Sequence, residues 1–157
     1  MILETMKRLP LYILTLMLGI FWMLSSTTDV KAQQSKKIIL AGYKHTPPVS
    51  TTGSGMATVR LHGDTLTVKG KFEDLSANYS GAYLMVSIRG QGGNQLYRLK
   101  VELNEEKTGG KLIGKENQFV LSPAQKALLK KGDLYINISS FENQKGELRG
   151  NIGPMGE

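Results

Sequence analysis

Few residues in this sequence are of the types that perform chemistry, and their spacing matches no common active site. The chain of 157 residues has no cysteine and two histidines, His45 and His62. The lack of cysteine excludes disulfides, thiolate metal sites and a cysteine nucleophile. Two histidines cannot build a multi-histidine metal centre. A lone histidine without a partner group makes no site by itself, so we assign neither of them a function.

Adjacent acids and a glycine-rich loop are two further candidates for chemistry. The pairs Glu73-Asp74 and Glu105-Glu106 could suggest the carboxylates of a glycosidase, but they lie in polar, turn-like stretches where solvated charge is the usual explanation. Residues 90–93 read Gly-Gln-Gly-Gly. A phosphate loop needs a helix N-terminus directly after it, whereas a strand pattern follows here. The sequence therefore predicts no enzyme and no cofactor.

Four residues have side chains that could bind a partner. Tyr83 and Met85 share a strand face with Arg89, and this face could be an exposed patch. The pattern favours the alternative that they cover the second side of a sandwich sheet. Arg149 lies two residues after Glu147 and could hold an anionic ligand through its planar guanidinium. A structural contact is the favoured alternative, because an interior arginine needs a partner.

The elements that must position these residues are predicted to be strands. Apolar residues alternate with polar ones around residues 57–61, 66–72, 82–88, 97–103 and 134–138. A period of two indicates strands with one buried and one wet face. Gly63-Asp64 joins the first two runs in a hairpin, and residues 90–94 join the next two. Together with shorter runs at residues 37–40, 119–121 and 147–152, the sequence predicts about seven strands of an antiparallel sandwich or barrel.

One short helix interrupts this pattern. Ser122-Pro123-Ala124-Gln125 is a helix start, in which serine caps free amides, proline suits the first position and glutamine reaches back. Gly132 can take the left-handed conformation that ends a helix. The sequence thus predicts a helix of two to three turns that closes one end of the β-structure.

The N-terminal residues have the pattern of a signal peptide. Lys7 and Arg8 precede an uncharged apolar run from Leu9 to Leu24, and residues 30–32 read Val-Lys-Ala. This order of charged, apolar and small-residue regions is typical of secretory signals. The run is short for a membrane span, although an uncleaved anchor is the alternative. We predict a signal peptide at residues 1–32 and a single exported β-domain at residues 33–157, without a stable membrane span after cleavage.

Four segments of the exported part resemble the CHRD (chordin) domain family in the right order and spacing. They are residues 40–59, with Thr46-Pro47-Pro48-Val49, then residues 121–129, residues 134–138, and residues 146–152, with Gly-Glu-Leu-Arg-Gly-Asn-Ile. The resemblance covers residues 37–153. It implies an exported, immunoglobulin-like antiparallel β-sandwich or barrel. The family is mostly of unknown function in bacteria, and in animals the domain belongs to an extracellular antagonist of growth factors.

The chain departs from the family at three positions where histidines are usual. Tyr83 and Met85 stand in place of a His-x-His pair after Gly81-Ala82, and Ser139 stands in place of a histidine after Asn137-Ile138. Any role that those histidines have in relatives must be absent or different here. Tyr83, Met85, Arg89, Ser139 and Arg149 are therefore our candidates for partner binding.

These observations together predict a non-enzymatic module that binds a protein or a cell-envelope component in the periplasm, at the cell surface or outside the cell. The chain carries a net charge of +7 without a basic tract interleaved with aromatic residues, which disfavours nucleic acid. An anionic polysaccharide is a possible partner. Two alternatives remain: a metal-dependent or enzymatic protein on the same fold, and a purely structural envelope or matrix protein.

Overall fold

Alternating apolar side chains direct the long strands of this protein toward one shared interior. The computed structural model describes residues 33–90 and 92–156. The predicted signal peptide at residues 1–32 lies outside the described residues. The described part contains ten strands and one α-helix: β1 Gln34–Ala41, β2 Ser54–His62, β3 Thr65–Glu73, β4 Tyr79–Val86, β5 Gln95–Arg98, β6 Val101–Leu103, β7 Gly110–Leu112, β8 Gln118–Val120, α1 Pro123–Lys131, β9 Leu134–Ser140 and β10 Leu148–Ile152. A 3-10 turn, Gly42–Lys44, follows β1.

All ten strands belong to one curled antiparallel sheet. Its order is β5-β4-β9-β10-β1-β2-β3-β7-β6, and β8 pairs with the other end of β3. The inward face is mainly apolar, and the long strands contribute every second residue to it. The predicted all-β, sandwich- or barrel-like fold is confirmed. The largest fully buried apolar side chains are Leu40, Leu66, Leu84, Leu99, Leu129, Leu134, Ile136, Ile138, Leu148, Ile152 and Val59.

The first predicted hairpin is formed by β2 and β3. Leu61 lies opposite Leu66 and His62 opposite Thr65. The connection needs a residue with positive φ, which Gly63 supplies at 58°. His62 is exposed beside this turn, as the alternation predicted.

The second predicted hairpin is shorter than the pattern suggested. Strands β4 and β5 pair as expected, but β4 ends at Val86 and Arg89 has a positive φ of 54°. The expected inward position of Ile88 is therefore wrong, since its side chain is 52% exposed. Strand β5 also ends at Arg98. The next strand, β6, pairs with β7 and not with β4. The predicted run at residues 97–103 is thus divided between β5 and β6, and β7 is a further strand of three residues. The number of strands exceeds the seven predicted because runs this short carry almost no periodic signal.

Asn117 stabilises the backbone between β5 and β6. Its side chain is fully buried and pairs with the backbone of Lys100, accepting from the amide at 2.8 Å and donating to the carbonyl at 2.8 Å. It also donates to the Ile113 carbonyl at 3.1 Å. The side-chain amide thus supplies the hydrogen bonds that a neighbouring strand would otherwise make.

We expect Asn117→Ala to lower the free energy of unfolding by about 2 kcal/mol, because it leaves buried backbone groups without partners. Urea denaturation of the variant measures this loss. Asn104→Ala is the matched control, since exposed Asn104 accepts one bond from the Gly109 amide and should lose about half as much. Equal losses in the two variants would contradict the role given to Asn117.

The helix α1 begins and ends where the sequence predicted. The Gln125 amide donates to the Ser122 hydroxyl at 3.3 Å, and the Ser122 amide donates to the Gln125 side chain at 2.8 Å. Gly132 ends the helix with a φ of 78°. Leu129 is fully buried, so the helix contributes one main anchor to the core. The Gln125 side chain also accepts from the Tyr97 hydroxyl at 3.0 Å, which ties α1 to β5.

Candidate functional site

Strand β9 is buried on both of its faces. Leu134, Ile136 and Ile138 point into the core, while Tyr135, Asn137 and Ser139 occupy the outer face. All three outer residues are at most 4% exposed. Polar side chains on an outer face are ordinarily solvated, so the chain must cover this part of the sheet. Residues that follow β1 and residues that follow β9 provide the cover.

Arg149 lies at the centre of this covered region. It pairs with Asn137 of β9 and with Ala41 of β1, and it is only 3% exposed. Its Nε donates to Asn151 Oδ1 at 2.8 Å, and its Nη2 contacts the Gly90 carbonyl at 3.3 Å. Its Cζ stacks 3.8 Å above the centroid of the Tyr135 ring, a geometry that attracts a cation.

Among the residues that the structure describes, no carboxylate forms a salt bridge with this buried guanidinium. Within residues 33–90 and 92–156, the salt bridge joins Lys126 to Asp64, and Arg149 donates hydrogen bonds to amide, hydroxyl and carbonyl oxygens. Removing a charge from water is costly unless it is paired. The charge of Arg149 is thus met by neutral acceptors and by the Tyr135 ring in the described residues, and a binding role for it stays a prediction.

A pocket of about 560 Å³ opens beside Arg149 and Tyr135. One wall is formed by residues 45–47 and Val49, and the other by residues 141–146. The ring of Phe141 at the entrance is 64% exposed. We call this space the Arg149 pocket. Its volume is in the range of small-molecule sites, and its walls carry amide, hydroxyl and charged side chains that can hydrogen-bond a ligand.

His45 forms part of the pocket wall, and its pKa is shifted by its surroundings. Burial and the nearby positive charge of Arg149 lower the pKa of His45 below its ordinary value, and a hydrogen bond with the backbone of Leu148 offsets only part of this effect. Nε2 of His45 and Oδ1 of Asn137 are buried without hydrogen-bond partners in the described part of the chain. Both unpartnered atoms lie close to Gly146, where an added Cβ would overlap Asn137 Oδ1 and His45 Cε1. Glycine is thus required there, also because its φ is 133°.

The lowered pKa of His45 makes stability depend on pH. Since the unfolded chain binds the proton more readily, the free energy of unfolding should fall as pH drops below the ordinary histidine value of 6.5. The loss should level off below the folded-state pKa. Urea denaturation across this pH range should show the slope in the wild type and in the control His62→Gln, but not in His45→Gln. The same slope in all three proteins would contradict the assignment to His45.

Glu147 is a second buried charge, separate from Arg149. Its carboxylate is fully buried, and Oε1 accepts from the Ser76 amide at 2.7 Å, from the Ser76 hydroxyl at 2.9 Å and from the Thr51 hydroxyl. Burial raises the pKa of the Glu147 carboxyl, but hydrogen bonds from Ser140, Thr51 and Ser76 outweigh it, so the pKa lies below the ordinary value. The contacts of Glu147 join the ends of three loops, so its role is structural.

The structure brings one of the five predicted partner-binding residues, Arg149, into the pocket. Tyr83 is half-buried on the outer face of β4, opposite Asn137, with the guanidinium of Arg98 6.0 Å from its ring centroid. Met85 is half-buried opposite Tyr135. Arg89 is exposed in the turn after β4 and does not extend the face of Tyr83 and Met85. A binding role for these three residues stays a prediction.

Ser139, the fifth candidate, is only 2% exposed and lies opposite Gly81 on β4. Its hydroxyl is 3.4 Å from the Asn137 side-chain nitrogen. Tyr83, Met85 and Ser139 occupy the same outer face of two neighbouring strands, although they are separated in sequence. The binding role of Ser139 also stays a prediction.

Two residues that line the pocket, His45 and Tyr135, and the buried neighbour Asn137 have no local signal that reveals their role. His45 lies in a proline-rich turn, and Tyr135 and Asn137 alternate with apolar residues in the manner of solvent-facing positions. We assigned no function to His45, because its neighbours Arg149 and Asn137 are distant in sequence. A polar outer face on a central strand is evident only once β9 is placed between β4 and β10.

The fold and the pocket define an all-β, sandwich- or barrel-like domain with a pocket on its outer sheet face. The chain belongs to the CHRD domain family, whose model matches residues 37–152. A search of curated proteins and a search of solved structures find no match to this chain.

Several general properties are known for domains of this family. CHRD domains are generally non-enzymatic modules of extracellular proteins, and they take part in protein interactions. They usually occur in secreted proteins. In the described part of the chain, α1 and the 3-10 turn are both too short and too polar to cross a bilayer.

Proposed function

We propose that this protein is an exported, non-enzymatic recognition module that binds a protein or cell-envelope component through the Arg149 pocket. The single observation that carries the proposal is the buried guanidinium of Arg149, which borders an open pocket and has no carboxylate partner among the described residues. The pocket would receive an anionic group of the ligand. The pattern of residues 1–32 supports export by a cleaved signal peptide.

The chemistry of the pocket supports recognition. Arg149 presents a planar fork that suits carboxylate and phosphate groups, and stacking on Tyr135 fixes its orientation. The pKa of His45 is lowered, and Arg149 and Lys145 are the basic side chains that line the pocket, beside the acid Glu142. Because burial and stacking already hold the guanidinium in place, little further side-chain entropy would be lost when a ligand binds.

The experiment compares retention on isolated envelope and extracellular fractions across a salt titration. It uses the protein recovered after export, whose mass shows whether residues 1–32 have been removed. Arg149→Met should lose the salt-resistant part of the retention. Arg98→Met is the matched control, because Arg98 is exposed on the same sheet face outside the pocket, and it should be retained like the wild type.

Three outcomes would overturn the proposal. Equal salt-resistant retention of Arg149→Met would show that the pocket is not used. Retention of the wild type that disappears at modest salt would indicate only charge attraction. No retention together with a stoichiometric metal in the purified sample would favour a metal-dependent protein on this fold.

A further inference from the structure

The outward side of β1, β2, β3 and β7 carries a cluster of positive charge. Five exposed side chains contribute to it: Lys37 on β1, Arg60 on β2, Lys69 and Lys71 on β3, and Lys111 on β7. Strand pairing places them on one face, because Lys37 and Lys69 both lie opposite Thr58, and Lys71 lies opposite Lys111. We call these five residues the basic face.

The basic face also exposes two apolar side chains. Ile39 is 54% exposed and Met56 is 50% exposed. They are cross-strand partners on β1 and β2, and Met56 lies opposite Lys71. The apolar pair thus adjoins the lysines directly, and Lys44 contributes a further ammonium that donates to the Ile39 carbonyl at 2.9 Å.

The basic face is only partly neutralised within the described residues. Glu102 lies opposite Lys111 and Glu73 is on the same side of the sheet, whereas the salt bridge in the described residues joins Lys126 to Asp64 elsewhere. Like charges directly opposite each other in a sheet are destabilising, and Lys71 and Lys111 have this arrangement. A negative surface outside the chain would relieve the repulsion.

We propose that the basic face docks on the surface of an anionic lipid bilayer. Anionic headgroups neutralise the lysines, and the interfacial region accepts the side chains of Ile39 and Met56. An anionic polysaccharide would satisfy the charges but would offer no apolar phase to the exposed pair. This surface is separate from the Arg149 pocket, so docking does not depend on the ligand of that pocket.

The test measures co-sedimentation of the exported form with vesicles of phosphatidylcholine, with and without phosphatidylglycerol. Binding should require phosphatidylglycerol and should weaken as salt rises. The variant with Lys69→Gln and Lys71→Gln should bind about 30-fold more weakly, at about tenfold per 1.4 kcal/mol and about 1 kcal/mol per lysine. The matched control changes Lys130→Gln and Lys131→Gln, two exposed lysines at the end of α1, and should bind like the wild type.

Two further variants distinguish docking on lipid from attraction by charge alone and from binding at the Arg149 pocket. Ile39→Ser with Met56→Ser should weaken vesicle binding without changing charge, whereas Arg149→Met should leave it unchanged. Equal losses in the two lysine variants would overturn the proposal, because net charge alone would then explain the binding. Retention on alginate beads that depends on Lys69 and Lys71, without binding to vesicles, would overturn it in favour of a polysaccharide.

Discussion

Replacing Glu147 with glutamine should lower the free energy of unfolding by about 3 kcal/mol at neutral pH, because it removes a buried charge that accepts several hydrogen bonds. The carboxylate is fully buried and accepts two bonds from Ser76 and one from Thr51. A glutamine of the same shape keeps one acceptor oxygen, but its amide nitrogen brings two donors into a site built of donors. The charge-assisted strength of the original bonds is also lost.

Urea denaturation of Glu147→Gln measures this loss, and Glu102→Gln is the matched control. Glu102 is exposed on β6, and surface changes of this kind usually stay within about 0.5 kcal/mol. A loss no larger than that of the control would contradict the structural role of Glu147.

The pH dependence of the same variant provides a second readout. Because the folded-state pKa of Glu147 is lowered, its contribution is fully present above the unfolded value of about 4.3 and is lost as pH falls through the folded pKa. The gap between wild type and Glu147→Gln should therefore narrow in acid. A gap that stays constant with pH would show that packing, rather than ionisation, determines the loss.

Replacing Arg149 with methionine should abolish salt-resistant ligand retention while leaving the free energy of unfolding unchanged or higher by about 1 kcal/mol. A buried charge without a counter-charge costs desolvation energy, and an apolar residue of similar volume is often neutral or stabilising in its place. Methionine can still pack on the Tyr135 ring, since its thioether makes favourable aromatic contacts. Loss of binding without loss of stability is the signature expected of a ligand-binding arginine.

Paired measurements of retention and urea denaturation on Arg149→Met decide between the two roles considered for this residue. If Arg149 were structural, the variant should lose about 3 kcal/mol or more, as when one partner of a buried pair is removed. Arg149→Lys supplies a further comparison. It keeps the charge but not the planar fork, so retention should weaken without disappearing.

Local patterns predicted much of the fold. The β2–β3 hairpin was predicted from period-two alternation and a Gly-Asp turn, and α1 was predicted from Ser122, Pro123 and Gly132. These signals succeed because they act over a few residues. Strand β7 and the interruption between β5 and β6 escaped prediction, because they depend on long-range pairing and on the side chain of Asn117.

The candidate site was predictable only in part. Arg149 was identified as a possible anion-binding residue, but the choice between ligand and structural partner required knowing what surrounds it. Glu147 was its nearest acid in sequence, yet Glu147 bonds to Thr51 and Ser76 instead. The identity of the groups around a buried charge is a property of packing between distant segments.

The sequence by itself determined the all-β class, the position of the helix, the resemblance to the CHRD family and the absence of cysteine chemistry, because each follows from composition or from spacing along the chain. Only the tertiary structure decided that β9 is covered on both faces and that His45, Tyr135 and Arg149 surround one pocket. It also decided that five basic side chains share one sheet face. The physical reason is that strand order and register join residues far apart in sequence, and their charges act on one another only after that pairing has formed.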